Sequence, residues 1–141
     1  TTKQVTFYEY DRSFQLSSSQ SISLDRIPLI HDFGLTPHFY ILVVSAYDFD
    51  SVPYTMGQKP LFECVTLNPS QDTKIVVIPR KKYPISSKTI KATVPKEFRL
   101  ASPLVCHHVM QAYEVQNERD GSFNLVLDLV GSNTMPRVNP T

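Results

Sequence analysis

The run Phe39-Tyr40-Ile41-Leu42-Val43-Val44-Ser45-Ala46 is apolar almost without interruption. Its β-branched and aromatic residues favour a strand, and a strand without a polar side is expected to be covered on both faces. Whatever fold this chain adopts must place apolar layers above and below that one segment.

The rest of the chain offers short strand-like runs separated by turn chemistry. Val5-Thr6-Phe7-Tyr8-Glu9-Tyr10 alternates in polarity, Asp11-Arg12-Ser13 turns, and Phe14-Gln15-Leu16 restarts a strand, which together read as a hairpin. The serine-rich stretch Ser17 to Ser23 reads as a short linker. Thr36-Pro37-His38 is a turn, because the residue before proline is pushed out of the helical region.

Tyr47 to Pro60 breaks the pattern with Pro53, Gly57 and Pro60 and leaves Val52, Tyr54 and Met56 looking exposed. Strands are expected at Phe62–Leu67, at Lys74–Ile78 up to Pro79, at Lys88–Val94, at Cys106–Val115 and at Phe123–Leu129, with Asp120-Gly121 as a hairpin turn. Eleven prolines against four glycines reinforce strands and turns over helices. Such spacing implies a sandwich, a barrel or propeller blades, without a self-similar repeat to choose among them. Both ends of the chain look cut. That favours the propeller, whose blades need neighbours to cover their faces and edges.

A net charge of +1 and a pI near 7.7 exclude an electrostatic case for nucleic acid. Arg80-Lys81-Lys82 is too short a cluster to imply a partner. No apolar run approaches the roughly 20 residues that span a bilayer. Cys64 and Cys106 are too few for a disulfide framework and sit in apolar contexts, so reduced, buried thiols of an intracellular protein are expected.

The chain has four histidines. His38 follows a turn proline and is expected to face solvent. His31 lies between Ile30 and Phe33, where an unpaired buried imidazole would be costly, so a histidine satisfied by backbone groups is its plainer reading. His107 and His108 are adjacent and, in a regular strand, point to opposite faces. No CxxC or HExxH spacing is present. Asp32, Glu63, Glu114 and Asp128 lie in or beside strands without a defined pairing, and no nucleophile elbow or phosphate loop occurs.

Ile30-His31-Asp32-Phe33-Gly34-Leu35-Thr36-Pro37 closely resembles a motif of the carotenoid cleavage oxygenases, H-[DS]-F-x-[IL]-T. Phe7-Tyr8-Glu9-Tyr10-Asp11 is similar to the strand that precedes it in that family. Lys74-Ile75-Val76-Val77-Ile78-Pro79-Arg80 resembles its strand-then-I-P-R segment. His107-His108-Val109-Met110-Gln111-Ala112-Tyr113-Glu114, followed by Leu125 to Leu129, resembles its F-H-x-x-N-[AT]-[YFW]-E segment and the next strand. Gln111 replaces the usual asparagine, and His107 stands where phenylalanine is usual.

The resemblance implies an all-β fold, residues 1–141 being about two to three blades of one seven-bladed propeller domain and about a quarter to a third of a family member. It also implies a non-haem ferrous iron, Fe(2+), held by histidines on the propeller axis. Of these His31 would be the second ligand and His108 the third, the first and fourth lying outside the chain. Neutral imidazoles suit ferrous iron and leave it open positions for dioxygen.

The implied activity is oxidative cleavage of a conjugated double bond of a carotenoid or apocarotenoid by O2, giving two carbonyl products, in a plastid or the cytoplasm. The segment Ser51–Gly57 falls where the family has an apolar stretch near a tunnel mouth, so Tyr54 and Met56 mark an expected peripheral membrane contact. A retinoid isomerohydrolase of the same family, or a non-catalytic propeller with His31 and His108 as packed core residues, are the alternatives.

Overall fold

The computed structural model describes residues 3–26, 30–81, 96–100, 105–119 and 123–132, and among them strands predominate, with one short helix and one 3-10 turn. Strands β1 (Lys3–Tyr10) and β2 (Leu16–Leu24) form the expected antiparallel hairpin. Asp11 closes it, its Oδ1 accepting from the N–H of Ser13 at 2.8 Å and of Gln15 at 2.9 Å.

The serine-rich stretch is not a linker: it is most of β2. Gln20 and Leu24 are buried and Ile22 is half-buried, so the apolar period of two survives on the inward side. The intervening serines occupy the outward side, where Ser21 Oγ lies 2.9 Å from Thr6 Oγ1 across the hairpin.

Next comes an antiparallel sheet in the order β3 (Gly34–Leu35), β4 (Phe39–Val44), β7 (Thr73–Pro79) and β8 (Lys96–Leu100). Between β4 and β7 the chain leaves for a small hairpin of β5 (Tyr47–Phe49) and β6 (Val65–Leu67). That excursion carries the short helix α1 (Ser51–Thr55), whose Val52, Tyr54 and Met56 are exposed as expected.

Phe62–Leu67 is not one strand. Pro60 opens a single 3-10 turn over Leu61–Glu63, with Glu63 N–H donating to the Pro60 carbonyl, and pairing begins only at Val65. Phe62 is accordingly exposed while Cys64 is buried with a free thiol.

Strands β9 (Val105–Gln116) and β10 (Phe123–Ser132) form a second long hairpin. Its turn at Asp120-Gly121, the run Lys88–Val94 and the Cys106 side chain lie outside the described residues.

The hairpins lie on opposite faces of the four-stranded sheet. Tyr40, Leu42, Val44, Val76 and Ile78 pack with Phe7 and Leu24 of the first hairpin. Phe39, Ile41 and Val77 turn the other way and pack with Ala112, Leu125 and Leu127 of the second. No residue of β4 is more than 5% exposed, which is the two-sided cover its composition demands. Each such aliphatic side chain contributes roughly 1.5–3 kcal/mol through removal from water. A four-stranded meander stacked between neighbouring sheets is the arrangement of successive propeller blades.

Candidate metal centre

The site forms where the sheet edge β3 meets β9. Gly34 sits at the seam: a Cβ added there would lie 2.9 Å from Ala112 Cβ and 3.2 Å from Ile41 Cβ. Only glycine permits that approach, so the backbones of β3 and β9 run closer than two side-chain-bearing strands could.

Three residues before Gly34, His31 meets His108 of β9, their ring centroids 4.8 Å apart and their planes at 89°. The two histidines singled out from sequence are thus brought together. Both are exposed, which corrects the reading of His31 as a buried histidine satisfied by backbone, and also that of the pair as packed core residues. The cause lies one residue upstream: Ile30 anchors on the first apolar cluster, and the chain emerges from it at His31.

Asp32 ties the two segments. Its Oδ1 accepts from the Phe33 N–H at 2.8 Å and its Oδ2 from the Val109 N–H at 3.3 Å. On the β9 side the register with β10 shifts twice, so that His107 and Met110 have no opposite residue. These irregularities bracket His108 and Val109, and bulges of this kind re-aim side chains beside functional sites. The orientation of the His107 side chain lies outside the described residues.

At the far end of the same seam the expected solvent-facing His38 is half-buried and paired. Its Nδ1 lies 2.7 Å from Glu114 Oε2, its backbone N–H donates to Glu114 Oε1 at 2.8 Å, and the Thr36 hydroxyl donates to that oxygen too. Burial alone would push the Glu114 carboxyl up. The donors from Thr36 and His38 outweigh it and hold the group below the usual carboxylate range. Sequence reasoning gave Glu114 no defined pairing, since its partners are on a turn far earlier in the chain.

Next to it a third network joins the first hairpin. Glu9 Oε1 accepts from the Tyr40 hydroxyl at 2.5 Å and from Arg80 Nε at 2.8 Å, while Arg80 Nη1 donates to the Thr36 and Pro37 carbonyls at 2.8 and 2.9 Å. Burial, together with the Glu9 carboxylate, pushes the Tyr40 phenol up to about 12. Phe7 stacks flat on the same ring at 4.1 Å.

Two exposed imidazoles side by side are donors of the right type for a first-row metal ion. Among the described residues no group of three or more His, Cys, Asp or Glu side chains gathers to hold an ion. Among the described residues no helix is long and apolar enough to cross a membrane.

Residues 1–141 match the family model described as retinal pigment epithelial membrane protein. The apocarotenoid-15,15'-oxygenase of Synechocystis sp. is 25% identical over 135 residues, which are 96% of this chain and 24% of that protein. Carotenoid cleavage dioxygenase 7, chloroplastic, of Arabidopsis thaliana is 30% identical over 117 residues, 80% of this chain and 19% of that protein.

The solved structure of a Synechocystis apocarotenoid oxygenase variant matches with a TM-score of 0.73 at 22% identity, covering 98% of this chain and 25% of that one. A cobalt-substituted form of the same oxygenase matches with a TM-score of 0.69 at 22% identity, covering 96% of this chain and 25% of that one. The fold is thus that of part of those oxygenases, and the chain spans about a quarter of the length of the relatives it matches.

Proposed function

The chain belongs to the retinal pigment epithelial membrane protein family, and from that premise we propose that it is part of a non-haem iron dioxygenase that cleaves carotenoids or apocarotenoids. The observation that carries this reading is the meeting of His31 and His108 at 4.8 Å, two motif histidines from opposite sides of the β3–β9 seam. A structural relative has been solved in a cobalt-substituted form, which makes metal binding a reasonable expectation for the parent of this chain.

In this reading His31 and His108 hold ferrous iron through neutral imidazole nitrogens, with further ligands from outside this chain. When bound, the iron supplies activation of O2 for cleavage of a conjugated double bond into two carbonyl products. Phe33 and Leu35, exposed two and four residues beyond His31 and lining a cleft with Phe7 and Tyr40, offer hydrocarbon surface against which a polyene can lie. Asp32 and Glu114 keep the seam closed at its two ends. A plastid or the cytoplasm is the location proposed for the parent, the former by analogy with the Arabidopsis relative.

The test is incubation of the parent protein with ferrous iron, air and an apocarotenoid in detergent, followed by product analysis. A pair of carbonyl fragments is expected. A geometrically rearranged retinoid alcohol would instead identify an isomerohydrolase, and an unchanged polyene across a broad substrate panel would leave a binding scaffold.

The exposed Val52, Tyr54 and Met56 on and beside α1 also support a weak peripheral membrane contact of the parent. Sedimentation with anionic liposomes is expected to fall in the Tyr54→Ser/Met56→Ser double variant, and unchanged binding would count against the contact.

A further inference from the structure

We propose that Asp32 is a positioning residue that fixes how far His31 stands from His108. The inference rests on the reading of that pair as metal ligands. Asp32 is adjacent in sequence to His31, and the backbone N–H it holds belongs to Val109, adjacent to His108. One carboxylate therefore links the residue after one histidine to the residue after the other.

The link is oriented and not incidental. Oδ1 is engaged by the Phe33 N–H at 2.8 Å, a local bond that sets the carboxylate plane. Oδ2 is then directed across the seam to Val109 at 3.3 Å.

The need for such a link follows from β9. Register shifts at His107 and Met110 interrupt pairing with β10 on either side of His108 and Val109. The ladder that would ordinarily fix the backbone is weakest there. Gly34 and Ala112 hold β3 and β9 together further along, and Glu114 does so beyond them, but both lie on one side of the histidines. Asp32 supplies the missing anchor at the histidine end.

The experiment uses the metal-free parent protein and cobalt(II) as the probe ion, well below the thermal midpoint of each variant. Affinity comes from competition with a chelator, and ligand arrangement from the visible d–d spectrum. Asp32→Ala is expected to bind cobalt about 10–100-fold more weakly, the range of an outer-shell partner, with an altered spectrum. Asp32→Asn keeps one oxygen acceptor and the side-chain shape, so it is expected to fall between the two and keeps the test open should the alanine variant fold poorly. Asp48→Ala, which removes an acceptor for Asn68 and Gln71 away from the seam, is expected to bind like the unaltered protein.

Unaltered affinity and spectrum in both Asp32 variants, with cobalt lost from His31→Ala, would overturn the positioning role and leave the metal reading standing. Cobalt bound normally by both His31→Ala and His108→Ala would overturn the metal reading and the positioning role with it.

Discussion

Replacing either His31 or His108 by alanine in the parent protein is expected to strip the proposed ferrous iron, while His38→Ala retains it. The first two remove a ligand outright, so each should cost more than the about 10–100-fold in affinity typical of an outer-shell partner. His38 is committed to Glu114 at the far end of the seam, and its loss leaves that carboxylate one donor short. The expected penalty is about 1–3 kcal/mol of stability, with iron content unchanged.

Metal analysis of the purified variants separates the cases. Because His107 adjoins His108 at a register shift, His107→Ala belongs in the same series. Full occupancy in His108→Ala with loss in His107→Ala would move the assignment by one residue.

Arg80→Ala is expected to lower the stability of the parent by about 3–5 kcal/mol in chemical denaturation, the cost of leaving a buried charge without its partner. The Arg80 and Glu9 side chains are 11% and 13% exposed, so their pairing at 2.8 Å is little screened by water. The variant also strips donors from the Thr36 and Pro37 carbonyls and the cation above the Tyr40 ring. Glu9→Gln in the same background should recover part of the loss, since no unpaired carboxylate remains. A penalty below about 1 kcal/mol for Arg80→Ala would place the pair among surface ion pairs and remove it as a tie between the first hairpin and the central sheet.

Where burial was written into composition, the fold was legible. Phe39–Val44 announces two-sided cover because every side chain is apolar, and the structure supplies a cluster on each face. β2 was hidden because its inward positions, Gln20, Ile22 and Leu24, are separated by serines whose polarity suits the wet side of a strand as well as a linker. At Leu61–Cys64 an alternating pattern was overridden by Pro60, which started a turn before any strand could pair.

The candidate centre divides in the same way. His31 and His108 were found through the motifs around them. Nothing local to His38 reveals Glu114, because the two meet only after β4 and β9 have been brought together. The second bond of Asp32 is equally invisible, since a carboxylate's long-range partner depends on register and on the bulges of β9.

Gly34 also bears on the curvature of the whole ring. Successive blades of a propeller diverge from axis to rim, and the ring closes only if the wedges between them add up to a full circle. β3 is an edge of its sheet and meets β9 there, so the spacing at Gly34 helps to set one of those wedges. With an added Cβ only 2.9 Å from Ala112, the two sheets already approach at Gly34 as closely as side chains permit. A single methyl group would force the two sheets apart at that point. The smallest residue of the motif thus acts as a gauge for the spacing between two neighbouring sheets.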